Sequence, residues 1–347
     1  MAPQKTQSYI GLDIHKKFIF FVHLDKEGNV ISSHKIRNDP QQFDKHFEKL
    51  DRETPIAMES CSCWEYVFDY LSDMGFTNIV LANPSRVGLI AKSRKKTDKH
   101  DAKVLADLLR TNMLPKSYAP TSVIREQRQI TRHRASLGRL KGIIKNKIHA
   151  VLIKNGINME LSDAFGKEGI EYLRSLDLSM MDRYQIDQYL ELIRHYDVQI
   201  KKTEDRIEDY VQFTPDVKTV KTIPGIGYYS GLAIVGEIGD IRRFRSSKQL
   251  TCFAGLNPSV SQSGDKCYVG HIAKQGNKHL RWMLGQCANI AIKHDSFLAK
   301  VYQRIKKRRG HNIAITATAR KMLCLIYTML MNNISYQSLQ IHKKKAS

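Results

Sequence analysis

Four carboxylates stand out by their setting. Asp13 ends the apolar run "YIGLDI", Glu59 closes the short run "IAME", and Asp98 and Asp101 lie three apart in "KTDKHDAKVLADLLR". A lone carboxylate among apolar residues is costly unless something neutralises it. Residues three apart on a helix share a face, so Asp98 and Asp101 can point the same way. Drawn together, the four make a cage of hard oxygen ligands for two magnesium ions about 4 Å apart. Such a pair activates one phosphodiester oxygen and stabilises the other. Plainer readings stand beside this one. Asp98 could be a helix N-cap with Asp101 in a capping box, and Glu59 an ordinary strand-end charge.

A second group lies in "FAGLNPSVSQSGDKCYVGHIAKQGNKHLRWML". Ser263 precedes Gly264 in a polar turn, where a serine can approach a phosphate closely. Lys274, Lys278, His279 and Arg281 then cluster at a predicted helix start. Cations there oppose the helix dipole unless an anion is bound, and helix N-termini bind phosphates. The alternative is a solvated turn followed by a basic surface helix. "IPGIG" (223–227) suits a turn between helices, either gripping a DNA backbone through its amides or allowing tight packing.

These residues need elements to hold them. "YIGLDI", "FIFFVHL" and "VISSHKIR" read as strands, with "DKEGN" as the turn between the second and third. Helices and strands then alternate, and Ser62 with Glu65 resembles a capping box. The expectation is a mixed α/β domain over 1–122. From 123 to 214 helical spacing dominates, giving a helical hairpin or coiled-coil arm. Its first helix carries Arg125, Arg128, Arg132, Arg139 and Lys145, candidate phosphate contacts. A mostly helical domain is expected over 215–340, with helices at about 277–307 and 311–332 and a frayed tail. The apolar stretch 313–331 contains Arg320 and Lys321 and reads as a buried helix rather than a membrane span.

Composition narrows the partner. The chain has 347 residues, 42% of them hydrophobic, so a packed core is expected and global disorder is not. A net charge of +22 suits a polyanion, nucleic acid before an anionic membrane surface. The polar opening "MAPQKTQ" is not a secretory signal, and the six cysteines show no zinc spacing. A cytoplasmic protein with reduced thiols is expected.

In order, "YIGLDIHKK", "AMES", "KTDKHDAKVLADLLR", "IPGIG", "FAGLNPSVSQSGDK" and "GHIAKQGNKHLRWML" resemble the DEDD-type transposases of bacterial insertion sequences. That family includes Piv-type DNA invertases and bridge-RNA-guided recombinases. The resemblance implies a ribonuclease-H-like first domain, similar to Holliday-junction resolvases, and a C-terminal transposase domain. It makes Asp13, Glu59, Asp98 and Asp101 the acidic tetrad and Ser263 the nucleophile, with Ser259 and Ser261 close enough to blur the register. It implies Mg2+, with Mn2+ as a substitute, and donor and target DNA cut through a phosphoserine link. It also implies an element-encoded guide RNA and a homo-oligomer, a dimer or a tetramer in the synaptic complex, acting at the nucleoid without a membrane. A junction nuclease using only carboxylates and water, or an invertase without RNA, remains the alternative.

Overall fold

The computed structural model describes residues 7–90, 97–161, 163–263 and 266–345. They form two compact units, 1–119 and 120–347.

The first unit is a mixed six-stranded sheet with helices on its faces. The strands are β1 (Ser8–Ile14), β2 (Phe18–Asp25), β3 (Val30–Arg37), β4 (Ile56–Glu59), β5 (Ile79–Ala82) and β6 (Lys116–Ser117). Their spatial order is β3-β2-β1-β4-β5-β6. The first three run antiparallel, with Asp25 accepting from the Asn29 backbone and side chain in the expected turn. β4 lies parallel to β1, and β5 parallel to β4. The helices are α1 (Pro40–Phe47), α2 (Trp64–Asp73), α3 (Pro84–Ile90) and α4 (Asp98–Arg110). The Ser62 capping box does not form. Cys63 is the N-cap of α2 and makes no side-chain cap bond.

Period-two alternation splits β1 between two cores. Ile10, Leu12 and Ile14 pack with Phe43, Phe47, Val67 and Leu71 of α1 and α2. Gly11 and Asp13 take the other face, where Val22 and Leu24 pack with Ala102 and Ala106 of α4. Gly11 is needed there. A Cβ on it would overlap the Ala102 carbonyl oxygen and come within 2.7 Å of the Ala106 nitrogen.

The second unit opens with two long helices, α5 (Ser122–Lys154) and α7 (Met180–Val211), with the short α6 (Lys167–Ser175) between them. Arg134 meets Glu204, Lys141 meets Asp197 and Lys154 meets Asp182. Partners fall along α7 as they rise along α5, so the pair is antiparallel. A buried cluster of Ile148, Leu152, Ile186 and Leu190 closes its far end.

The remainder packs around α9 (Tyr228–Ile238), which buries every residue from Gly231 to Ile238. It is preceded by α8 (Pro215–Lys221) and followed by α10 (Ser247–Phe253). Then come a hairpin of β7 (Pro258–Ser263) and β8 (Lys266–Ile272), and helices α11 (Lys278–His294), α12 (Ser296–Arg309), α13 (His311–Asn332) and α14 (Tyr336–Lys345). The single helix expected over about 277–307 is broken at Asp295. Its carboxylate caps α12 through Leu298 N and accepts from the Tyr336 hydroxyl. That bond anchors the start of α14. α13 is the one described helix long and apolar enough to cross a membrane, and half of its apolar window is buried. Ala314, Met322, Leu323, Ile326 and Met329 lie in the core, as expected for a buried helix.

Gly11→Ala should push α4 off the sheet at a cost of about 1–3 kcal/mol, because backbone rather than a flexible side chain blocks the new methyl. Urea unfolding followed by Trp64 fluorescence, in a Trp282→Phe background, measures it. An unchanged midpoint would contradict the close packing.

Candidate functional site

Helix and strand repeats bring the first carboxylates together. Two strand residues advance about 6.7 Å, and four helical residues about 6 Å. With Gly11 seated between Ala102 and Ala106, the next residue on that face of β1 is Asp13. The preceding residue on that stripe of α4 is Asp98. The two meet through His15, whose Nε2 lies 3.1 Å from an Asp13 oxygen and 3.7 Å from an Asp98 oxygen. Asp13, His15 and Asp98 each offer a ligand atom within 4.8 Å of the others, all three half-buried. Two carboxylates and an imidazole at this spacing fit a divalent cation.

Asp101 and Glu59 lie outside that triad. Asp101 is close enough for its charge to act on Asp13. Glu59 closes β4 one residue beyond Met58, which pairs with Leu12, so it continues the register alongside Asp13. The cap of α4 is Thr97, not Asp98. Its hydroxyl accepts from His100 N. Asp98 and Asp101 are thus first-turn acids, favoured by the helix dipole. His15 was missed in the sequence because a lone histidine after a strand carries no pattern.

Burial lifts the Asp13 carboxyl above its ordinary value. The His15 ring opposes the rise, and the charges of Asp98 and Asp101 add to it. A raised folded value means a stabilising contribution that is complete below the unfolded pKa and lost as pH rises through the folded one. At neutral pH, without metal, the charged group is therefore a cost. Asp13→Asn should leave the metal-free melting temperature at pH 7 equal to or above the wild-type value. A divalent cation should raise the melting temperature of the wild type only. A clear fall in the metal-free variant would contradict the carboxylate crowding.

The serine segment lies in a β-hairpin. Ser263 is the last residue of β7 and pairs with Lys266, while Gly264 and Asp265 lie outside the described residues. The stem is fixed at its base. Ala273 N donates to Asn257 O, Asn277 N to Phe253 O and the Arg281 guanidinium to Ala254 O. Ser259 donates to His271 O within the stem. In "IPGIG", Gly225 has φ +91° and sits against Ala291 and Cys287 of α11, where a Cβ would come within 2.9 Å of backbone. Tight packing is the reading the structure has.

The basic residues divide into two kinds. Arg139, Lys274 and Lys278 are exposed, and Lys145 lies over the Phe165 ring. Arg125 donates to Pro120 O. Arg128 donates to the carbonyls of Gly236 and Glu237 in the last turn of α9. Arg132 forks onto both oxygens of the Glu237 carboxylate at 2.7 and 2.9 Å. Asn277, the N-cap of α11, donates to the same carboxylate at 2.7 Å. Arg128, Arg132 and Arg281, expected as phosphate contacts, each also hold a partner within the fold. The Glu237 carboxylate beside the start of α11 is only 2% exposed.

Burial would raise the Glu237 carboxyl, but Arg132, Asn277 and Arg128 outweigh it and hold it below the ordinary 4.5. A lowered folded value gives stability that is present above the unfolded pKa and lost as pH falls through the folded one. Glu237→Gln should cost about 3 kcal/mol at pH 7, the lower end for removing one partner of a buried pair. The difference from wild type should shrink below pH 4.5. Urea titrations at pH 7 and pH 4 check both the size and the sign.

Known proteins resemble the chain across the ranges that hold both sites. Residues 10–154 match the DEDD transposase family of IS110 type, and residues 217–303 match the "Transposase IS116/IS110/IS902 family". The chain is 26% identical over 341 residues to the "Transposase for insertion sequence element IS1111A" of Coxiella burnetii, covering 96% of this chain and 92% of that protein. It is 25% identical over 342 residues to a "Probable family 20 transposase" of Pseudomonas aeruginosa, covering 95% and 98%. The "Pilin gene-inverting protein" of Moraxella bovis is 30% identical over 158 residues, 44% of this chain and 49% of that protein. The carboxylates fall within the first match and the serine hairpin within the second, and the chain belongs to the IS110/IS116/IS902 family of DEDD-type DNA transposases.

Proposed function

We propose that this transposase moves its own insertion element by cutting and rejoining DNA through Ser263, with Asp13, Glu59, Asp98 and Asp101 holding the divalent metal, Mg2+ or Mn2+. The observation that carries the reading is the meeting of Asp13, His15 and Asp98 on one face of the sheet. The strand order β3-β2-β1-β4-β5, antiparallel and then parallel, supports a ribonuclease-H-like first unit. A bound divalent cation would polarise the phosphodiester and stabilise charge developing on its oxygens. In the cleavage step the Ser263 oxygen bonds to phosphorus, the bond to one deoxyribose oxygen breaks, and that oxygen leaves with a proton. Attack by a hydroxyl from a second strand reverses the step and frees the serine.

The net charge of +22 supports a large nucleic-acid contact. We take part of that contact to be a guide RNA, so that base pairing chooses the sites and the protein reads mainly backbone and shape. Two duplexes must be held at once, which calls for a dimer or a tetramer. Similarity to the pilin gene-inverting protein favours site-specific inversion as a second reading, differing in the DNA substrates rather than the chemistry.

Ser263→Ala should abolish the covalent protein–DNA band on a denaturing gel and retain DNA retardation on a native one. An adduct of unchanged yield would move the nucleophile to a neighbouring serine. Cleavage without any adduct in the wild type would favour the junction-nuclease reading.

A further inference from the structure

We propose that His15 is a nitrogen ligand of the metal centre, giving it mixed oxygen and nitrogen coordination that favours Mn2+ and similar transition-metal ions over Mg2+. The proposal rests on the carboxylate metal site described above.

The placement of the ring carries it. The His15 Nε2 to Asp13 Oδ2 distance is 3.1 Å. Adjacent ligands of an octahedral ion with bonds of about 2.1 Å are separated by about 3 Å. The same nitrogen is 3.7 Å from Asp98 Oδ1. One ring atom therefore faces two carboxylates that come from different elements, Asp13 at the separation of neighbouring ligands and Asp98 a little beyond it.

The ring is also held in place. It lies against Phe18 with centroids 4.6 Å apart, tilted by 32°. Its own backbone is tied at both ends, with His15 N donating to Phe18 O and the Asn38 side chain donating to His15 O. The His15 side chain is 42% exposed, so ion and water can reach the nitrogen. Ligands fixed by packing and hydrogen bonds before the ion arrives have little ordering left to lose.

The donor atom decides the preference. Mg2+ is hard, takes oxygen ligands and keeps much of its water. Imidazole nitrogen suits Fe2+, Ni2+ and Zn2+ best, and Mn2+, which shares the carboxylate preference of Mg2+ but opens the same transition series, accepts it more readily than Mg2+ does. A site of carboxylates alone would bind both through oxygen. Adding His15 helps Mn2+ and does little for Mg2+.

The test reads the bond directly. Wild-type protein and His15→Gln are loaded with Mn2+, and electron spin echo modulation is recorded. Glutamine can still hydrogen-bond to Asp13 but offers no ring nitrogen. The wild type should show modulation from a directly bound nitrogen, and His15→Gln should bind Mn2+ without it. Calorimetric titration should show the Mn2+-over-Mg2+ affinity ratio falling about tenfold in the variant, through weaker Mn2+ binding. Mn2+ bound to the wild type without nitrogen modulation would overturn His15 as a ligand and leave the carboxylate site standing. Mn2+ binding that is absent, or equally strong in Asp13→Asn, would overturn both.

Discussion

The first unit depends on one close approach, that of α4 to the backbone of β1 at Gly11. No side chain fits between them. Ala102 and Ala106 keep the helix side small as well. The approach fixes the height of α4 above the sheet and its position along the strand. Asp98, one turn before Ala102, then has no place to go except beside Asp13. The meeting of the carboxylates follows from packing small residues, and the carboxylates themselves, which repel one another, contribute nothing to the attraction. A cation held there would relieve the repulsion that the fold imposes.

The second unit solves the opposite problem, an excess of cations. Glu237 sits in the last turn of α9, a position the helix dipole disfavours for an anion. Arg132 and Arg128 from α5 and Asn277 from α11 converge on it or on the carbonyls beside it. Three helices are tied at one buried carboxylate. Removing one member would leave the others charged or unpaired in a dry place, which explains why the cluster is saturated rather than partly made. Arg139, Lys274 and Lys278, by contrast, are exposed.

Basic charge alone therefore says little about where a polyanion lies. Arg128 and Arg139 look alike in the sequence, each a basic residue on one long helix. The first donates to the carbonyls ending another helix, and the second is exposed. What separates them is which side of α5 meets α9, and that depends on residues more than a hundred positions away.

The sequence by itself determined the local features: strands from alternation, the turn at Asp25 to Asn29, long helices from their spacing, the buried α13, and the carboxylate types that suit a metal. Each depends on near neighbours. It also placed the serine motif, through resemblance to a family. Tertiary structure decided the rest. It made the serine segment a hairpin, because strand pairing needs a partner that composition does not reveal. It broke the expected helix at Asp295, whose carboxylate is satisfied by Tyr336, forty-one residues on. It brought His15 to Asp13 and Asp98, and Glu237 to Arg132, because long-range packing chooses which polar groups share a buried space and must answer one another's charge.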